Sequence, residues 1–149
     1  MNKKAIALGV SIPLLVGAWA LFRPELLFID KKVEEKAVAQ AQTSAAGEFE
    51  SYAHPTTGRA VLQRSGDGWT VRLEGLKTDN GPDLRVLLVS GSDPQRYDTN
   101  IDLGALKGNE GNQNYVVPGK VDPSKPYSVT IWCRRFDVAF GGATLGQAL

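Results

Sequence analysis

From residue 48 onward, apolar side chains recur at every second position in short runs, and the runs are broken by Gly, Pro, Asn and Asp. No stretch there keeps a helical period for more than about two turns, so the pattern predicts a β domain. Eight short strands follow from it, over 48–52, 59–64, 69–74, 84–90, 101–103, 114–117, 128–133 and 136–140. Strands at this spacing build a sandwich or a barrel. The expected fold is therefore all-β, a single sandwich-like or barrel-like domain of about eight short antiparallel strands over 48–149.

The clearest local signal is Ser65-Gly66-Asp67-Gly68, whose glycines can take the positive φ of a tight reversal. Trp69, Val71 and Leu73 then alternate with Thr70, Arg72 and Glu74, which makes 59–64 and 69–74 a hairpin. "LRVLLVS", at 84–90, is apolar on both faces, so it belongs inside a sheet or under a covering loop. Asn80-Gly81-Pro82-Asp83 and "KGNEGNQN", at 107–114, are loops. Near the C-terminus Val129, Ile131 and Cys133 share one parity and Phe136, Val138 and Phe140 the other. The phase slips at Arg134-Arg135, so a β-bulge or a tight reversal is expected there, with Cys133 facing the apolar interior.

The first 28 residues follow a different pattern. Lys3 and Lys4 precede an uncharged stretch at 5–22 that is long enough for a tilted membrane span. Ala18-Trp19-Ala20 has the form of a signal-peptidase site, yet the apolar character continues through Leu21 and Phe22 and resumes in "ELLFI", which favours an uncleaved anchor over 1–28. No cysteine lies near this leader, which excludes a lipoprotein. A very short N-terminal flank before a first hydrophobic segment is the layout of a signal anchor, so the β domain is expected outside the cytoplasm, at the cell surface or in a periplasm. Residues 29–47, rich in Ala, Lys and Glu, read as a polar, partly helical linker.

Charge narrows the partners. From Glu48 onward eleven basic residues face twelve acidic ones, a net charge of minus one, so no nucleic-acid surface is implied. The expected partners are the membrane, through the leader, and a redox protein. Asp79, Asp83, Asp98 and Asp102 lie near turns without the regular spacing of a calcium loop. Tyr52, Trp69, Tyr115 and Trp132 read as core or edge aromatics.

Candidate chemistry centres on "SVTIWCRRFDVAF", which holds the single cysteine, Cys133, so an internal disulfide is impossible. A lone strand cysteine is most simply a small core residue. A functional thiol needs thiolate character, for which Arg134 and Arg135 are the adjacent cations, although neighbouring strand residues point to opposite faces. His54, the only histidine, lies in a turn-forming stretch and is the candidate partner of Cys133 as an axial or supporting group. Counting excludes blue copper, because the chain has one His and its only Met is the initiator. Structural zinc, covalent haem, a thioredoxin-type couple and an iron–sulfur cluster also lack their ligands. Non-covalent haem with a Cys or His ligand, or a bare thiol with no cofactor, remains.

The segments "HPTTGRAVL", "NGPDLRVLLVS", "DLGALKGNEGNQNYVVP" and "VTIWCRRFDVAFGGATL", in this order, resemble the DM-thirteen domain, also called the electron-transfer DM-thirteen domain. The likeness runs from about residue 49 to residue 145. It implies an extracytoplasmic β-sandwich-like module whose signature cysteine, here Cys133, acts in electron transfer as a bare thiol or by holding a prosthetic group such as haem. Some members of the family carry this domain beside other redox-type domains, so the resemblance implies an electron-transfer component rather than a stand-alone enzyme. The competing expectation is a non-enzymatic adhesion or ligand-binding module with a structural cysteine at position 133.

Overall fold

In the computed structural model, which describes residues 3–22 and 29–147, the chain forms one N-terminal helix and one curled sheet of ten strands. The helix is α1 (Lys3–Phe22). The strands are β1 (Lys32–Glu34), β2 (Gln42–Glu48), β3 (Glu50–Ser51), β4 (Thr56–Ser65), β5 (Gly68–Thr78), β6 (Leu84–Ser90), β7 (Asn100–Ala105), β8 (Glu110–Val117), β9 (Tyr127–Cys133) and β10 (Val138–Gln147). Their order across the sheet is β1-β8-β5-β4-β2-β10-β9-β6-β7, with β3 pairing β10 off this path. The sheet curls into a half-barrel around one apolar core that draws on both halves.

The hairpin expected at 65–68 is present as β4 and β5, with Ser65 opposite Gly68, Arg64 opposite Trp69 and Gly66 at φ 58°. Trp69, Val71 and Leu73 face the core as their alternation requires. Beyond them Gly75, at φ 55°, sits in a register shift that returns Leu76 to the interior. Without that shift the alternation would turn Leu76 outward. β6 lies between β9 and β7; Leu84, Val86 and Leu88 join the main core, while Leu87 and Val89, of the opposite parity, are also buried. The 91–99 loop runs over that second face, where its Pro94 carbonyl accepts the buried Thr130 hydroxyl of β9 at 2.6 Å.

The structure corrects the reading of residues 29–47 as a partly helical linker. That segment contains β1 and β2, and β2 is an interior strand between β4 and β10. Small side chains explain the difference: Ala45 is buried, and a Cβ on Gly47 would overlap the Thr144 carbonyl. Alanine-rich composition suits a helix in isolation, but here it permits close strand approach. β1 pairs with β8 in parallel, so the sheet has ten strands with one parallel pair rather than about eight that are all antiparallel.

Two polar clusters fasten the sheet edge. Gln113 of β8, fully buried, donates to the Gly108 carbonyl at 2.7 Å and accepts from the Tyr115 hydroxyl at 2.7 Å. The Lys107 N–H donates to the same hydroxyl at 2.9 Å, so this buried polar group holds the turn between β7 and β8. Outside it, Lys107 Nζ donates to Glu35 Oε1 at 2.7 Å, and the Asn114 N–H donates to Glu35 Oε2 at 2.7 Å.

The anchor expected over 1–28 falls partly outside the described residues. Among the described residues no helix is long and apolar enough to cross a membrane. Pro13 lies within α1, and Ile12, Leu14, Leu15, Val16, Trp19 and Leu21 are exposed.

Two outcomes follow from these contacts. Gly47→Ala is expected to cost about 1–3 kcal/mol through backbone displacement at Thr144 and to lower the Tm; an unchanged Tm would show that β2 is dispensable. The Lys107 hydrogen bond and the Asn114 N–H hold the Glu35 carboxyl below its ordinary pKa. Its contribution is therefore complete above the unfolded-state pKa and is lost as pH falls through the lower folded value. Glu35→Gln should lower stability at neutral pH, with the gap closing below about pH 4; urea titrations showing a gap independent of pH would contradict this.

Candidate functional site

Cys133 ends β9 and is fully buried. Its register partners are Leu84 of β6 and Val138 of β10, so the sulfur belongs to the core where three strands meet. No hydrogen bond reaches it among the described residues. One residue further on, the Arg134 N–H donates to the Asp83 carbonyl at 3.0 Å and Arg134 Nε donates to Asp83 Oδ2 at 2.7 Å. This double contact ties the β9–β10 reversal to the loop before β6.

The phase slip at Arg134-Arg135 is a reversal: residues 134–137 form the turn, and Cys133 pairs with Val138 across it. Phe136, grouped with Val138 and Phe140 by parity, instead occupies the turn and is 68% exposed. Phe140, of the same parity as Val138, reaches the core, and the register shift between Ala139 and Gly141 then turns Ala143 and Leu145 to the interior as well. The alternation could not place Phe136, because parity alone does not say which residues the turn takes.

His54 is placed differently from Cys133. Its ring stacks on Phe140 with centroids 3.8 Å apart, and its Nδ1 lies 3.0 Å from Asp79 Oδ2. The histidine thus sits over a core aromatic and beside a carboxylate, and it makes no hydrogen bond to the sulfur. Arg134 engages Asp83, and Arg135 is exposed on the same turn. Of the four sequence-predicted residues, Cys133, Arg134 and Arg135 are consecutive at the reversal, while His54 reaches the neighbourhood only through Phe140.

Haem does not fit the arrangement seen here. The cleft beside His54, about 380 Å³, is bounded by Asp30, Lys77, Asp79, Asn109 and Glu110, a polar lining unlike the apolar slot that a porphyrin needs. Cys133 does not line that cleft. Among the described residues no group of three or more His, Cys, Asp or Glu is placed to hold a metal ion. The turn aspartates serve as partners instead: Asp83 takes Arg134, Asp79 takes His54, and Asp102 accepts Arg85 Nε at 2.6 Å and the Gly104 N–H at 2.9 Å.

On the opposite face of β9 from Cys133 lies a cleft of about 560 Å³, lined by Leu87, Gln95, Arg96, Tyr97, Trp132 and Asp137 among others. The Trp132 indole N–H donates to Asp137 Oδ1 at 3.0 Å. The Tyr97 hydroxyl lies 3.4 Å from both that oxygen and the Asp137 carbonyl, and the two rings are 5.9 Å apart, tilted by 48°. Asp137 has φ 49°, a left-handed conformation that Asp tolerates better than most residues, and it aims the carboxylate at both aromatics. Burial, and then the Asp137 charge, push the Tyr97 hydroxyl pKa upward. The sequence offered Trp132 as an edge aromatic but gave no sign of Tyr97 or Asp137, since their meeting depends on where the 91–99 loop lies.

The family model described as electron transfer DM13 matches residues 48–145. No curated protein and no solved structure matches the chain.

Proposed function

This chain belongs to the electron transfer DM13 family, and we propose that it is an extracytoplasmic electron-transfer component, not a stand-alone enzyme, with Cys133 as a guarded redox group. The observation that carries this reading is the position of the thiol. It is shut from solvent yet lies one residue from a reversal fastened by Arg134 on Asp83. Opening that turn exposes the sulfur without dismantling the sheet, the kind of local excursion that strand ends undergo well below the global unfolding free energy. Arg134, released from Asp83, and Arg135 then supply the positive charge that favours a thiolate. Closed, the thiol is inert because neither solvent nor a charged partner reaches it.

The burial itself favours a second reading. A cysteine wholly enclosed by apolar neighbours and without a hydrogen bond is what a packing residue looks like. Under that reading the domain is a non-enzymatic adhesion or ligand-binding module, and the Tyr97–Trp132 cleft is its binding surface.

The leader belongs to the same proposal. The exposed apolar side chains of α1 support a membrane tether, and on that reading the β domain lies outside the cytoplasm.

Thiol labelling separates the two readings of Cys133. A guarded redox thiol should react slowly with a maleimide in the native protein and roughly two- to fivefold faster after Asp83→Asn, which frees Arg134 and keeps its charge, as expected when about 0.5–1 kcal/mol of closure is removed. Labelling that tracks global unfolding and ignores Asp83→Asn would leave the structural module. For the leader, the full chain should remain with membranes after an alkaline carbonate wash. Recovery of soluble protein whose N-terminus is Leu21 or later would show a cleaved signal instead.

A further inference from the structure

Outside α1, the described residues leave three large apolar side chains exposed: Ile29, Val116 and Phe136. Val116 pairs with Thr70 and so lies near the 65–68 hairpin. From that hairpin β5 runs the length of the sheet to Thr78, whose N–H donates to the Asn109 carbonyl at 2.9 Å. Ile29 and Phe136 belong to this far end, where the chain enters the domain. Asp30 Oδ1 accepts from Asn80 Nδ2 at 2.9 Å and from Asn109 Nδ2 at 2.8 Å, and the Lys31 N–H donates to Asn109 Oδ1 at 2.7 Å. Asn80 opens the loop whose Asp83 receives Arg134, so the entry point and the 134–137 reversal are fastened to one loop. Ile29 and Asp83 also line a common cleft of about 290 Å³.

We propose that this end of the domain rests on the surface of the membrane to which α1 tethers it, with the Phe136 ring dipping into the interfacial layer of the bilayer. The proposal rests on the reading of α1 as a membrane tether. The seven steps of chain from Phe22 to Ile29 cover about 25 Å at most. The entry point therefore stays close to the lipid, and the 134–137 reversal, tied to the same loop, stays with it. Such a short join makes the contact intramolecular, so a weak apolar insertion is enough to hold it.

The charges at this end set the kind of lipid. Arg134 and Arg135 precede Phe136 on the turn, and both are exposed. Their long stems can lie along the lipid surface while the guanidinium groups stay level with the phosphates. Asp30, Asp83 and Asp137 lie at the same end, with Asp83 holding Arg134 and Asp137 holding the Trp132 indole. Neither sign dominates, so insertion of the aromatic ring carries the contact and an anionic headgroup is not required. The reversal that closes over Cys133 is then the part of the domain nearest the lipid.

Electron paramagnetic resonance on the full chain in phosphatidylcholine nanodiscs tests the contact. A nitroxide is attached after Phe136→Cys and, in a second sample, after Asp67→Cys at the opposite hairpin, both with Cys133→Ala so that the label has one site. The label at position 136 should lie about 5–10 Å into the headgroup boundary, more accessible to oxygen than to a water-soluble nickel chelate. The label at position 67 should show the reverse, and high salt should change neither. Amide hydrogen exchange gives a measurement that keeps Cys133 and carries the test if Cys133→Ala does not fold. In nanodiscs the amides of 135–137 should exchange several times faster after Phe136→Ser, with those of 66–67 unchanged, and the difference should vanish when the chain is held in amphipol. A difference that persists in amphipol belongs to the turn itself and overturns the docking. A chain that stays with the nanodisc while the label at position 136 meets the nickel chelate as freely as the one at position 67 overturns the docking and leaves the tether. Failure to enter nanodiscs overturns both. Spin–spin broadening at position 136 that fades on dilution with unlabelled chain would put a second copy there in place of lipid.

Discussion

One strand has to serve both halves of this sheet, and the rest of the structure depends on it. β10 pairs along most of its length with β9, touches β3 at Gly141 and Gly142, and crosses at its far end to β2 through Gly146 and Gln147. This is possible only because its middle carries no side chain. A Cβ on Gly141 would overlap Thr56, and one on Gly142 would overlap Pro94. Those two overlaps mark opposite walls, the start of β4 on one side and the 91–99 loop on the other. The backbone of β10 is thus pressed between layers that a larger residue would force apart.

That constraint places the candidate site. With β10 fixed, the reversal at 134–137 must join it to β9, which brings Cys133 opposite Val138 and Leu84 in the interior. The same alternation turns Trp132 outward, toward the loop that Pro94 anchors on Thr130. Tyr97 rides on that loop and Asp137 closes the reversal, so the inner thiol and the outer aromatic cleft are two faces of one strand end. Asp83 and Arg134 fasten this end to the loop preceding β6.

At the other edge the means of closure is polar. Gln113 and Tyr115 lie inside, where an unpaired amide or hydroxyl would be costly, and each finds partners in the Lys107–Gly108 backbone. The cluster therefore selects a single path for the 106–109 turn, and Lys107, fixed by it, is positioned for Glu35. β1 enters beside β8 through this polar edge and not through apolar burial.

Local chemistry alone determined the β class, the hairpin at 65–68, the buried strand at 84–90 and the inward-facing Cys133, because alternation and glycine turns act over neighbouring residues. The family likeness was also legible in the order of four segments. What only the tertiary structure decided involves contacts between distant residues. The segment at 42–48 is a strand because β4 and β10 offer it two hydrogen-bonding edges and leave no room for a side chain at Gly47 beside Thr144. Phe136 lies outside because it falls in the turn and Phe140 inside because it keeps the parity of Val138 on β10, and parity counting alone cannot say which residues the turn takes. His54 meets Phe140 and Asp79 rather than the sulfur, and Tyr97 meets Trp132, because loops have no period from which their position can be read.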